Sequence, residues 1–271
     1  MSAIDRRWNA ARVRLVLDLA RRETRTRFAG SHLGILWAFF VPLLSSLVFV
    51  LIFSILMRGT MSGLYAGISF SELYFLGFGP WLLMLDVIGR STSIIRENRP
   101  LIRNLQFDHR LLPIAMTASA TVAHFVVVAL AVAIMLAAGH HFSPHLWALP
   151  IYFVLLMMFS IGCAYFIAAL SVYLTDLAHV VPIVLNLLFF TAPILYPPQL
   201  VIDGGSRTAQ FFLLEFNPIA RFVEGYRRSI LELPQPFDWV NLGVCAVWAV
   251  AALVIGSFVY RRLEKGFADV L

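Results

Sequence analysis

Residues 30–57 read GSHLGILWAFFVPLLSSLVFVLIFSILM, 28 positions without an Asp, Glu, Lys or Arg. A helix crossing the ~30 Å hydrocarbon core of a bilayer needs about 20 apolar residues. This stretch exceeds that length, and comparable stretches recur to the C-terminus. It follows an arginine-rich segment, is too long for a signal-peptide core and lacks a small-residue cleavage site. The chain as a whole is 60% hydrophobic and 13% charged, with a mean hydropathy of +0.83. That much apolar surface does not fit a soluble fold. The sequence predicts an all-α integral membrane protein.

Six transmembrane helices are expected, over residues 33–57, 69–89, 111–138, 146–174, 180–196 and 239–260. With short connections they use up the 271 residues, so 1–271 reads as a single transmembrane domain. The distribution of Lys and Arg sets the orientation. The N-terminal segment, the 90–110 connection and the C-terminal tail share one side and carry 16 basic residues, against 5 on the other side. Both termini are therefore expected in the cytoplasm, in a multi-pass protein of the cytoplasmic (inner) membrane. The net charge of +6 reflects this topology and anionic membrane lipids, and calls for no nucleic acid. Cys163 and Cys245 each fall within a span and read as small apolar filler, not as a disulfide.

Several chemistries are excluded. The phosphate loop G-x-x-x-x-G-K-[ST] is absent, because the only lysine, Lys265, lies between Glu264 and Gly266. H-E-x-x-H, C-x-x-C and G-x-S-x-G are absent too, which removes common zinc, redox and acyl-transfer sites. His140, His141 and His145 cluster, but no neighbouring carboxylate or Cys in the sequence completes a ligand set. No metal and no catalytic residue is expected. The energy for any work comes from another chain.

Four segments do not read as ordinary spans. Within 1–30, Arg7, Arg14, Arg21 and Arg25 fall within about 40° at helical pitch, and Ile4, Trp8, Leu15 and Leu19 form a separate face. This is the pattern of an interfacial helix. The connection 90–110, RSTSIIRENRPLIRNLQFDHR, is broken by Pro100 and carries an apolar face of Leu101, Ile102, Leu105 and Phe107. Segment 180–198 holds Pro182, Pro193, Pro197 and Pro198; irregular backbone at membrane depth survives only where protein buries it or it lines a cavity. The connection 199–238 is too apolar for a solvated loop and too charged for a span. We read it as two short helices dipping into the outer leaflet, the second opening at Asn217-Pro218. Its charges, including Arg227 and Arg228, are expected to turn to headgroups and water, with Glu224 and Arg228 spaced for an intrahelical pair.

These segments carry a family resemblance. ETRTRFAGSHLGILWAFFVPLL (23–44), LGFGPWLLMLDVIGRSTSIIRENRPLIRNLQFDHRLLP (76–113), LTDLAHVVPIVLNLLFFTAPILYPP (174–198), NPIARFVEGYRRSIL (217–231) and the tail RRLEKGFADVL resemble, in the same order, blocks of ABC-2 type permeases that export polysaccharides such as O-antigen and teichoic acid. Thr175 and Ala192 stand where the family usually has Arg and Ser. The resemblance implies a homodimer, with two ABC ATPase chains on the cytoplasmic face that hold the ATP and Mg, this chain binding no cofactor. It also implies a channel for a lipid-linked polysaccharide. The N-terminal helix and Arg96, Glu97, Asn98, Leu101, Ile102, Leu105 and Phe107 would couple to the ATPase. Phe211, Phe212, Asn217, Pro218, Phe222 and Tyr226 would form an external gate.

Helical pitch offers lining candidates. On the second span Glu72, Phe75, Gly79, Asp86 and Arg90 fall within about 60° of one another, and ionisable residues in spans usually face a cavity or partner. On the first span Phe39, Pro42, Ser46, Phe49 and Phe53 share a sector. On the fifth, Asn186, Phe190, Pro193 and Pro197 do, with Tyr196 beside them. Such a mixture of aromatic and scattered polar groups suits sliding sugar rings, whose C–H faces stack on aromatics. The alternatives are an ABC-2 exporter of a small molecule or lipid, a membrane scaffold, and a glycosyltransferase, though the D-x-D pair expected of the last is absent.

Overall fold

The computed structural model describes residues 3–27, 34–56, 63–102 and 108–270. In chain order the helices are α1 Ala3–Arg27, α2 Trp37–Leu56, α3 Phe70–Ser91, α4 Ile94–Glu97, α5 Arg99–Ile102, α6 Leu111–Ala137, α7 Leu149–Tyr173, α8 Leu177–Thr191, α9 Pro198–Asp203, α10 Arg207–Gln210, α11 Pro218–Ile230, α12 Trp239–Leu263 and α13 Phe267–Val270. No strand forms among the described residues; one isolated bridge joins Phe142 to Leu231.

Among the described residues, four helices are long and apolar enough to cross a membrane: Phe70–Ser91, Leu111–Ala137, Leu146–Tyr173 and Trp239–Gly266. Two shorter apolar runs accompany them, Phe40–Leu56 and Leu177–Thr191. The second of these has 15 residues, about 22 Å at 1.5 Å per residue, short of a bilayer core. It stops before the expected Tyr196 because Pro193 drives the preceding Ala192 into extended backbone (φ −82°, ψ 145°). The chain then turns through a buried Ala192–Leu195 stretch.

The hub is α3. Its start is fixed by a capping box, in which the Ser69 hydroxyl accepts from the Glu72 N–H and Glu72 accepts from the Ser69 N–H. From there Leu73, Leu76, Leu83, Met84 and Val87 lose all exposure between α6, α7, α8 and α11. The longest seam joins α7 and α12. There Gly162 and Gly256 meet backbone to backbone, and a Cβ on either would run into the facing main chain. Helix α6 ends in a Schellman turn, with Gly139 at φ 81°, Gly139 N–H on Leu136 and His140 N–H on Met135.

Helix α11 opens at Pro218, with Asn217 Oδ1 accepting from the amides of Ile219 and Ala220. Ahead of it the sequence led us to expect one short helix. The structure has two, α9 and α10, followed by a single π turn over Phe211–Glu215. Helix α1 lies along α6, where Ala20 is buried.

Candidate functional site

A groove of about 440 Å³ runs between α2, α3 and α8. Helix α3 contributes Tyr74, Phe78, Trp81, Leu85 and Gly89, α2 contributes Ser45 and Phe49, and α8 contributes Pro182, Leu185, Asn186, Phe189 and Phe190. The rings form a continuous ladder. Phe53 stacks on Phe70 at 5.5 Å, Phe70 on Tyr74 at 5.8 Å and Tyr74 on Phe78 at 5.2 Å. Phe189 bridges the other two helices, 5.6 Å from Phe49 and 5.7 Å from Trp81. The Tyr74 hydroxyl donates to Ser46 Oγ at 3.2 Å, and Ser46 donates to the Pro42 carbonyl, so neither hydroxyl faces the groove unpaired. Asn186 remains as an exposed amide on an apolar wall.

Of the lining candidates from the sequence, Phe49, Asn186 and Phe190 border this groove. Ser46 is buried behind it. Tyr196 is half-buried, its hydroxyl on the Thr191 carbonyl. The side chain of Phe39 lies outside the described residues. The polar stripe on α3 faces elsewhere. A Cβ on Gly79 would press on Val128 and face His124 of α6. Arg90 donates to the Met116 carbonyl and Ser119 of α6, and pairs with Glu23 of α1 at 3.5 Å and Asp86 at 3.9 Å. Glu72 is fully buried at the opposite end of α3, with His140 Nδ1 3.6 Å from its Oε1. The groove-facing stripe of α3 is Tyr74, Phe78, Trp81 and Leu85, one position away from the polar one. One residue is 100° of rotation, and the spacing of these aromatics was readable in the sequence.

Helix α11 binds the groove's helices together. Arg227 is wholly buried, which corrects the expectation that it turns to headgroups. Its Nε and Nη2 donate to the Leu73 carbonyl at 3.1 and 2.9 Å, and Nη2 also to the Ile194 carbonyl at 3.2 Å. Gly77 makes this reach possible, since a Cβ there would sit 2.9 Å from Nη2. A second link runs from Tyr226 Oη to His124 Nε2 at 3.2 Å, and from His124 Nδ1 to the Gly79 carbonyl at 3.0 Å. A carbonyl only accepts, so Nδ1 carries the proton and Nε2 accepts from Tyr226. Phe222 is buried with them, and Gly225 seats the Tyr152 ring. The expected Glu224–Arg228 pair forms at 2.7 Å, with Tyr65 Oη donating to Glu224 and Arg228 reaching Asp238 at 3.0 Å. By contrast Phe211 and Phe212 are exposed, in edge contact with each other.

At the far end, Arg96 donates to the Ser171 carbonyl at 2.6 Å, Asn98 caps its own helix on the Ile94 carbonyl, and Glu97 is exposed. Leu101 is half-buried against the chain's own core. The side chain of Ile102, and Leu105 and Phe107 entirely, lie outside the described residues. Arg110 pairs with Glu264, and that hydrogen bond raises its pKa. His109 packs on Tyr260 and Phe267, and burial lowers its pKa.

Taken together, the apolar helices and the groove define a multi-pass helical membrane protein. Residues 14–231 match the family model described as ABC-2 type transporter, and the chain belongs to that family of membrane transporters. It is 28% identical over 255 residues, 94% of each chain, to the O-antigen export system permease protein RfbA of Myxococcus xanthus. It is 28% identical over 250 residues, 90% of this chain and 91% of the other, to the polysialic acid transport protein KpsM of Escherichia coli. A Klebsiella pneumoniae O-antigen export permease, RfbA, is 19% identical over 95% of both chains.

Proposed function

We propose that this chain is the permease subunit of an ATP-driven exporter that moves a lipid-linked cell-surface polysaccharide across the inner membrane. The observation that carries the reading is the groove between α2, α3 and α8, walled by aromatic rings with the Asn186 amide among them. Aromatic walls hold sugar C–H faces without fixing one register, and one sparse polar group does not trap the chain. The relatives named for O-antigen and polysialic acid transport support the same substrate class.

In this reading the chain has six spans, with α2 and α8 as the shorter two, and both termini are cytoplasmic. Two copies pair with their grooves facing, and two ABC ATPase chains hold the ATP and Mg. Helix α1 and residues 90–110 couple to the ATPase, and the α9–α11 region re-enters the outer leaflet and closes the path. The groove residues line the pathway together with the candidates read from the sequence that border it.

Deleting the gene in its own host should remove surface polysaccharide while lipid-linked glycan accumulates inside. Complementation with the Phe49→Ala, Phe190→Ala double variant should restore protein level but not export. Unchanged surface polysaccharide in the deletion strain, with altered efflux of a small molecule or lipid instead, would overturn the glycan reading.

A further inference from the structure

A second cavity, of about 290 Å³, lies apart from the groove, between the α8–α9 turn, the π turn, α11 and the start of α12. Its wall is apolar on one side, with Pro193, Pro198 and Ile202, and polar on the other. The polar side carries three carboxylates, Glu215, Glu224 and Asp238, and two guanidiniums, Arg221 and Arg228. Arg207, outside the lining, pairs with Glu215 at 2.5 Å, and Arg228 joins Glu224 and Asp238. The other lining cation is Arg221. Its Nε is taken by the Glu215 carbonyl at 3.0 Å, and its two terminal nitrogens make no hydrogen bond or ion pair among the described residues.

Asn241 borders the same cavity and is 1% exposed. Its Nδ2 donates to the Arg221 carbonyl at 3.0 Å and to Tyr152 Oη at 3.1 Å. A carbonyl cannot donate, so the amide cannot be flipped, and Oδ1 is left buried without a partner. A buried acceptor without a donor is costly, so the place calls for a donor from outside the chain.

The site therefore offers donors from Arg221 and an acceptor on Asn241, no excess of positive charge, and an apolar wall of Pro193, Pro198 and Ile202. An anion gains no net attraction there and supplies no donor to Asn241. A hydroxyl group both accepts and donates. We infer that this cavity binds a neutral sugar unit, with ring hydroxyls bridging Arg221 and Asn241 Oδ1 and the ring's C–H face against Pro193, Pro198 and Ile202. The ligand class follows from the cavity's own groups; its place at the outer end of an export path rests on the reading above.

The test uses the full-length chain in lipid nanodiscs and saturation-transfer NMR. The probes are the methyl glycosides of glucose, mannose, galactose and N-acetylglucosamine. At least one should bind with a millimolar Kd and show transfer to its ring C–H protons. Arg221→Gln and Asn241→Leu should each weaken it at least tenfold. Because Asn241→Leu also removes two structural hydrogen bonds, Ile202→Trp provides a second arm. Ile202 is 45% exposed, and the larger ring fills the cavity from its rim. No glycoside binding at tens of millimolar overturns the site, as does binding unchanged in all three variants. Displacement of the sugar by glycerol 3-phosphate overturns it in favour of a lipid headgroup. None of these measurements requires ATP or transport, so their failure is distinct from failure of the export reading.

Discussion

Two helix boundaries in this protein are comparably apolar and packed in opposite ways. Along α7–α12, Gly162 and Gly256 let main chains touch, and Cys245 and Ala249 stay wholly buried beside them. Between α2, α3 and α8, large rings hold the helices apart and leave a groove. Without a hydrophobic drive between helices inside a bilayer, close association comes from van der Waals packing of small residues. The difference teaches that hydropathy places a helix in the membrane, while side-chain size decides whether its boundary is sealed or open. Arg227 stands between the two regimes, tying α11 to the groove helix α3.

The comparison breaks first at the seam. Gly256→Val puts a branched side chain where the Gly162 carbonyl lies; overpacking costs about 1–3 kcal/mol and occasionally more, and here the obstacle is main chain, which cannot swing aside. Purified protein should show a sharply lower thermal transition by fluorescence-detected size exclusion, or no folded peak. A melting point equal to the parent's would mean the seam is not the rigid half of the molecule.

Next in size is Arg227→Gln, which leaves the carbonyls of Leu73 and Ile194 without their charged donor. Each such bond is worth about 1.5–3 kcal/mol. Amide exchange should accelerate across α11 and not across α7–α12. Arg227→Lys should rescue little, because a single ammonium lacks the fork that serves both carbonyls.

The groove itself should respond in the reverse sense. Phe190 is 56% exposed and Phe49 half-buried, so Phe49→Ala with Phe190→Ala should cost only about 1–3 kcal/mol. Export should nevertheless fall at least tenfold in a surface-polysaccharide assay. Large destabilisation with normal specific export would show that these rings pack rather than guide.

The smallest effect lies at the His109 end. Burial lowers the His109 pKa, so the unfolded chain takes up the proton first. The stability this contributes is present above the ordinary histidine value of about 6.5 and is lost as pH falls from there through the folded value. Melting temperatures of the parent should decline over that acidic window, and His109→Gln should flatten the slope. An identical slope in both would remove His109 from the account.

Much of the site was near the surface of the sequence yet one step away. Glu72, Asp86 and Arg90 were singled out because ionisable groups in an apolar helix demand partners. The partners exist, but they are His140, Ser119, Glu23 and the backbone, so the polar stripe faces protein. The neighbouring stripe of Tyr74, Phe78 and Trp81 had the same periodicity and no charge to draw notice. Arg227 was misplaced for a related reason. Its burial depends on Gly77, 150 residues earlier in the chain, and on a carbonyl in a proline-broken turn.

What the sequence determined by itself was the helical membrane character, the helix start at Asn217-Pro218, the Glu224–Arg228 pair and the family resemblance. These rest on local spacing, capping chemistry and the length of apolar runs, all of which act within a few turns of chain. Tertiary structure alone decided which face of α3 meets the groove, that α7 and α12 close while α2, α3 and α8 stay apart, and that Arg227 is clamped inside. Those outcomes depend on side-chain volume and on carbonyls brought together across more than a hundred residues, and no window along the chain contains both partners.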